Sequence, residues 1–371
     1  MAESVPNRTT LVRMAELGTS PWIDNITRDW FENGKLAELV SQGIVGLTSN
    51  PAIFAAAIAS TELYDAQIKR LSEQGMNSRS IALELAKSDI SQAAQVLAPV
   101  FEATGHKDGW ASIEVDPDLA YQAQETMSAV RAMRKAISEP NVMIKIPATP
   151  DGLGPIEEAI SEGVSVNVTL IFSIERYREV FAAFLRGATR FLESGGDPSR
   201  LGSVASFFVS RLDTAIDPLL VQAGRGDLAG MAAVAQAKLA YVAFREMAAM
   251  PEAAEAFARG LRPQRPLFAS TSTKNPAYPK LLYVENLLGP DTVNTMPLAT
   301  VEEMLASGDP RRQTVTESVT EARRLIEEQL PAAGVDLSAV TSELEVAGVE
   351  AFSKSWAGLM SEIEKKAGAR A

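Results

Sequence analysis

GVSVNVTL, residues 163–170, carries two faces. Val164, Val166, Val168 and Leu170 share one side of an extended strand, and Ser165, Asn167 and Thr169 share the other, because side chains alternate across a strand. A parallel strand buried on both faces should read as a nearly continuous apolar run, so the polar side of this one faces something other than a packed layer. The pattern repeats on either side of it. In 141–147 (NVMIKIP), Val142, Ile144 and Ile146 oppose Met143 and Lys145, and in 109–115 (GWASIEV), Ala111, Ile113 and Val115 oppose Ser112 and Glu114. Further apolar runs stand at 21–26 (PWIDNI), 43–48 (GIVGLT), 203–209 (SVASFFV), 265–270 (RPLFAS) and 291–296 (DTVNTM). Helical patterns separate them, among them 80–104, 117–138, 173–194 and 210–223, with start signals at Asp116-Pro117-Asp118 and Ser173.

Eight strands alternating with helices predict parallel βα units, and eight such units close a (β/α)₈ barrel. The chain of 371 residues exceeds the roughly 250 of a typical barrel. Additional helices are therefore expected at the N-terminus (8–18), between strands two and three (52–104), near 228–259 and at the C-terminus (317–367). No repeat, low-complexity tract or linker divides the sequence, so one barrel domain spanning 1–371 is expected. An open doubly wound sheet is the rival, but its glycine-rich turn after the first strand is missing: that strand runs into Asp24-Asn25-Ile26-Thr27.

The apolar face is expected to pack on the outer helices and the polar face to point into the barrel. Asp24, Thr48 followed by Asn50, Glu114, Lys145, Asn167 with Thr169, and Ser206 lie late in six successive strands. Barrel active sites are assembled at that end. One polar residue there is ordinarily a solvated strand end; six in succession predict a single polar site. Lys145 is bracketed by Ile144 and Ile146 and followed by Pro147. Burial there favours a neutral, nucleophilic amine, which forms a Schiff base with a carbonyl substrate, with Glu114 and Asp24 supplying proton transfer.

Composition narrows the chemistry. With no cysteine and one histidine, His106, the chain can hold no disulfide, cysteine nucleophile, Cys-ligated metal or two-His metal site. A net charge of −12 argues against a general nucleic-acid binder but not against a small anionic substrate, since a few cations set the field of a cleft. MAESVPNRTTL at the start has no basic-then-apolar signal pattern, and the most apolar stretch, 229–244, is broken by Gln236 and Lys238 and too short to span a bilayer. A cytoplasmic location without membrane association is expected. His106 is expected in a solvated Gly105–Asp108 turn, Arg311-Arg312 and Arg323-Arg324 on a solvated face, and Met231, Met247 and Met250 in the core.

WIDNITRD (22–29), GLTSNPAIF (46–54), SIEVDP (112–117), IKIPAT (144–149), VNVTLIFS (166–173), SFFVSRLD (206–213) and STKN (272–275) together resemble the transaldolase family, class I Schiff-base aldolase relatives with a (β/α)₈ fold. ASTSTKNP (269–276) and the N-terminal extension look most like its longer, actinobacterial-type members. The resemblance implies that Lys145 is the Schiff-base lysine and that Asp24 and Glu114 are the acid/base carboxylates, with Thr169 helping Glu114 hold a catalytic water. It further implies that Asn50, Asn167 and Ser206 bind the hydroxyls of a dihydroxyacetone fragment, that Thr48 supports the same pocket and that Phe208 lines it. Arg211, and then Ser272 with Lys274, match the phosphate-binding groups. Two departures stand out: Lys274 where arginine is common in the family, and Phe207 where many members have proline.

The implied reaction moves a dihydroxyacetone unit from sedoheptulose 7-phosphate to glyceraldehyde 3-phosphate, as in the pentose phosphate pathway, with no metal or organic cofactor. The nearest alternative is an aldolase releasing free dihydroxyacetone; a barrel without catalysis would have no need of this residue set. Family members occur as monomers and homodimers. No site motif is recognised in the last 60 or so residues.

Overall fold

The computed structural model describes residues 8–368; the Met1–Asn7 part of the N-terminal stretch lies outside the described residues. Eight parallel strands close in chain order into a barrel. They are β1 (Thr19–Asp24), β2 (Gly46–Thr48), β3 (Trp110–Glu114), β4 (Val142–Pro147), β5 (Val166–Ile171), β6 (Ser203–Phe208), β7 (Arg265–Ala269) and β8 (Thr292–Met296). β8 pairs with β1 from Thr19↔Thr292 to Ile23↔Met296 and closes the ring. Helices follow the strands, so the expected (β/α)₈ architecture is what the chain adopts. The extra helices also fall where expected: Thr10–Glu16 before β1, three between β2 and β3, Ala232–Ala248 with Pro251–Ala258 before β7, and a C-terminal set ending in Leu337–Gly368.

Local chemistry explains where boundaries moved. β5 begins three residues later than its apolar pattern, because Gly163 at φ +77° ends the preceding helix and the Val164 N–H returns to Ala159. In the same way Gly43, at φ +116°, and the Ile44 N–H to Leu39 shorten β2. A Cβ would strain either glycine. The helix expected over 117–138 is split: Asp116 caps a short 3₁₀ turn, Pro117–Leu119, and the α-helix proper runs Ala123–Ala136.

The lower barrel interior is filled by Trp22, Trp110, Met143, Val204, Leu267 and Val293. Gly46 makes room for the first indole: a Cβ there would sit 2.4 Å from the Trp22 ring. Val166, Val168, Ile144 and Ile146 pack outward on the helices, as alternation predicts. Leu170 does not. At φ +61° it sits where the β5–β6 register shifts between Val168 and Ile171, a bulge that turns Leu170 inward onto Phe172 and leaves Ile171 to take the outer face.

Of three smaller expectations, the methionine one changes, His106 lies in its turn but is packed rather than free, and the arginine pairs stand as expected. Met247 is buried, but Met231 and Met250 are exposed. His106 stacks on Phe101 at 4.2 Å with Nδ1 at 2.9 Å from the Ser199 carbonyl, in the turn leading into β3. The two arginine pairs are solvated and ion-paired within their own segments, for example Arg323 with Glu327. No helix among the described residues is long and apolar enough to cross a membrane.

Candidate active site

The barrel register brings the polar strand residues together. Glu114 pairs with Lys145 and Lys145 with Asn167 across β3, β4 and β5, although Glu114 ends its strand and Asn167 is second in its own. Strand tilt and stagger place these different positions at one level. Asp24 likewise pairs with Thr48. A cavity of about 130 Å³ opens above them, lined by Asp24, Thr48, Asn50, Lys145, Thr169, Ser206, Phe208, Arg211, Ser272 and Lys274, all anticipated from the sequence. Glu114 and Asn167 stand behind this wall and reach it through their neighbours.

Lys145 is 5% exposed. Its Nζ donates to the Ser49 carbonyl at 2.9 Å and to Glu114 Oε2 at 3.1 Å. A buried ammonium needs such partners, since stripping it of water without them is expensive. The second carboxylate oxygen, Glu114 Oε1, and the Thr169 hydroxyl are both buried without a protein hydrogen-bond partner. Buried polar atoms are nearly always partnered, so two orphans beside one lysine mark a place built for a polar guest.

The second carboxylate has a different setting. Asp24 Oδ1 accepts from the Thr48 hydroxyl at 2.7 Å, and Thr48 lies 2.7 Å from the Thr295 hydroxyl. With its single proton directed to Asp24, Thr48 accepts from Thr295. Burial raises the carboxyl of Asp24 above the ordinary aspartate range, opposed by the nearby Lys145 charge and the Thr48 bond. Burial raises Glu114 too, against the pull of Lys145. Both groups therefore hold a proton more readily than free carboxylates, as proton shuttles must.

Asn50 caps the helix Pro51–Ser60, its Oδ1 accepting from Ile53 N at 3.1 Å, which leaves the amide NH₂ for a ligand. Asn167 is fully buried; it donates to Ser112 Oγ at 3.1 Å and accepts from Ser206 Oγ at 2.7 Å. It holds Ser206 in place from beneath the cavity floor.

At the mouth, Arg211 opens the helix Ser210–Gln222 and stacks over Phe208, 5.2 Å from its ring centre. Burial lowers the pKa of its guanidinium without giving it a carboxylate: among the described residues Arg211 makes no ion pair. Lys274, exposed on the loop after β7, donates to Ser272 Oγ at 2.8 Å. Two tyrosine–aspartate bonds tie that loop region to the Arg211 helix. Tyr278 donates to Asp217 at 2.6 Å and Tyr283 to Asp213 at 2.9 Å. The two cations thus stand on mutually braced segments. Among the described residues no group of three or more acidic or histidine side chains converges as a metal site.

Several lining residues were not anticipated: Ser270, Thr295, Pro297 and, from the C-terminal helix, Phe352, whose ring centre is 5.8 Å from Lys145 Nζ. Ser270 sits at φ +57° and shares a 2.9 Å contact with Ser210 Oγ; a non-glycine residue held at positive φ beside a site is a local strain that sequence pattern does not reveal.

Comparison with known proteins gives a consistent result. Residues 21–363 match the Transaldolase/Fructose-6-phosphate aldolase family. A transaldolase of Frankia alni is 42% identical over 362 residues, covering 96% of this chain and 97% of the relative. One from Saccharopolyspora erythraea is 44% identical over 359 residues, at 96% and 97% coverage. One from Thermobifida fusca is 43% identical over 360 residues, at 96% and 98%.

Proposed function

Because the chain belongs to the Transaldolase/Fructose-6-phosphate aldolase family, we propose that it is a transaldolase working through an imine on Lys145. The donor is sedoheptulose 7-phosphate, the acceptor glyceraldehyde 3-phosphate, and the products are erythrose 4-phosphate and fructose 6-phosphate. The whole chain serves as one barrel domain for this reaction in the cytoplasm. The observation that carries the reading is the buried Lys145–Glu114 pair at 3.1 Å, opening onto a cavity whose mouth holds two cations, Arg211 and Lys274, without an ion pair among the described residues.

Glu114, its carboxyl raised by burial, takes a proton from Lys145 across their hydrogen bond. The freed amine attacks the ketose C2 carbonyl, and loss of water leaves an iminium. That cation withdraws electrons from C3, so the C3–C4 bond breaks as Asp24 accepts the C4 hydroxyl proton. The aldose leaves, and a three-carbon enamine stays on Lys145. The acceptor aldehyde then reacts at C3, Asp24 returns its proton to the new alkoxide, and water held by Glu114 Oε1 and Thr169 hydrolyses the imine. Ser206 and Asn50 hold the hydroxyls of the three-carbon unit, with Asn167 fixing Ser206 from behind, while Arg211, Ser272 and Lys274 hold the phosphate. The relatives carry the name transaldolase, which favours transfer over release of dihydroxyacetone.

Borohydride reduction in the presence of donor tests the central step. A covalent adduct is expected on Lys145 and none in Lys145→Arg; an adduct on another lysine would overturn the assignment.

A further inference from the structure

The C-terminal helix, Leu337–Gly368, lies over the catalytic end of the barrel, touching the helices Pro51–Ser60 and Asp65–Glu73 as well as Ser210–Gln222 and the end of β5. It is fastened along its length. Arg176 pairs with Glu345 at 3.3 Å, Ser78 donates to Glu364 at 2.8 Å, and Lys366 reaches Asp65 and the Thr61 carbonyl at 2.8 and 2.9 Å. Gly348 sets its height. A Cβ there would already lie 3.1 Å from Leu170 and 3.2 Å from Phe172, so the helix rides close against the β5 bulge. One turn on, Phe352 drops into the interior cluster, 6% exposed, with its ring over Lys145 Nζ.

That position has a chemical meaning. The enamine on Lys145 has two fates. Bond formation from C3 to an aldehyde gives transfer. Protonation of C3 gives back an iminium, and addition of water at C2 then expels the lysine amine and frees dihydroxyacetone, one water consumed and no change of oxidation state. Imine hydrolysis needs a water in both routes, so protonation of C3 decides between them. C3 is two bonds from the lysine nitrogen, and that nitrogen faces the Phe352 ring at 5.8 Å from its centre. The ring is an apolar part of the cavity lining that offers no proton and no hydrogen bond to hold a water, while its face favours the cationic iminium at a distance within the cation–π range.

Resting on the Lys145 imine described above, we propose that Phe352 is a specificity-determining residue of this site: it shields the enamine carbon from solvent protons and so biases the reaction toward transfer. Excluding water from a reactive intermediate is an established way for an enzyme to suppress side reactions.

The test uses the full-length protein with donor alone and with donor plus acceptor, reading free dihydroxyacetone against aldehyde transfer. Phe352→Ala should raise the release-to-transfer ratio about tenfold or more, equivalent to a barrier change of at least about 1.4 kcal/mol. Phe352→Val, which keeps an apolar helix face but not the ring's reach, should raise it about threefold and serves if the alanine variant does not fold. Rates of release and transfer falling together, at an unchanged ratio, would mean a structural role only and would overturn the proposal. Borohydride trapping of the wild type separates the two levels: no adduct on Lys145 overturns the imine and this inference with it, whereas an adduct combined with an unchanged ratio overturns the role of Phe352 alone.

Discussion

The two cations at the site mouth are not equivalent, and the difference can be put in numbers. Arg211 is half-buried, stacked on Phe208 and free of any ion pair among the described residues. A unit charge 4 Å from a phosphate oxygen gains about 4 kcal/mol at the effective dielectric of a protein surface cleft. After desolvation, a charge-assisted hydrogen bond retains about 2–3 kcal/mol. Lys274 is exposed and already shares a hydrogen bond with Ser272; in bulk water the same contact gains only about 1 kcal/mol. At about 1.4 kcal/mol per decade, Arg211→Ala should lower kcat/KM for glyceraldehyde 3-phosphate by about 30- to 150-fold, and Lys274→Ala by about fivefold. Both losses should appear mainly in KM. Unphosphorylated glyceraldehyde provides the control, because neither variant should change its kinetics by more than about twofold. Ionic strength separates the pair further. Raising salt from about 0.05 to about 0.5 M should erase most of the Lys274 effect and little of the Arg211 effect, since exposed charges are screened. Equal losses in the two variants, or a loss for glyceraldehyde as large as for its phosphate, would refute the reasoning.

The carboxylates give two further expectations. Glu114→Gln and Asp24→Asn should each reduce kcat by about two to four orders of magnitude, the range for a positioned acid or base; near-normal turnover in single-turnover kinetics would contradict both roles. Because burial raises Asp24, the acid limb of the kcat/KM profile should lie above the ordinary aspartate range; a limb near pH 4 would argue against Asp24 as its source. Away from the cavity, burial pushes Asp213 up to about 6 from 3.8. A carboxyl raised in the folded state costs stability above its folded value and regains it as pH falls from about 6 toward 4. The cost at pH 8 is about 3 kcal/mol at about 1.4 kcal/mol per unit. Asp213→Asn should thus be no less stable than wild type at pH 8, and its denaturation midpoint should vary less between pH 4 and 6. Marked destabilisation at pH 8 would show that the Tyr283 and Ala233 bonds outweigh the buried charge.

What could be read without coordinates came first from the alternation of the strands. It separated Val166 and Val168 from Asn167 and Thr169, Ile144 and Ile146 from Lys145, and Ile113 from Glu114, and the barrel respects each division. The motifs added Asn50, Arg211, Ser272 and Lys274, which lie outside the strands. What escaped depends on geometry that no short pattern encodes. A single left-handed residue at Leu170 reverses the alternation for the rest of β5. The stagger of the closed barrel, not position within a strand, decides that Asn167 stands beneath the cavity while Ser206 lines it. Phe352 left a partial signal: Val349, Phe352, Trp356, Leu359 and Ile363 recur at three- and four-residue spacing and are all buried. That spacing predicts a helix with one apolar stripe. Four members of the stripe do ordinary packing, and nothing in the pattern singles out the one that reaches the lysine.

The scarcity of histidine and cysteine takes on a physical meaning in this arrangement. Imidazole suits proton transfer near neutrality because its unperturbed acidity already lies there. Here the only imidazole is stacked on Phe101 in the turn that precedes β3, whereas the site residues lie at the other end of that strand. Carboxylates start some two to three units too acidic for the same task, and burial moves both Asp24 and Glu114 upward, in the direction that task needs. Burial by itself favours the neutral acid over the base at both sites. The Lys145 ammonium opposes it at both, and Thr48 adds a hydrogen bond at Asp24. The lysine therefore tunes its own proton acceptors while it waits to become the nucleophile. Once its nitrogen joins an iminium, the positive charge remains beside them and keeps both carboxylates able to ionise as the C4 proton moves.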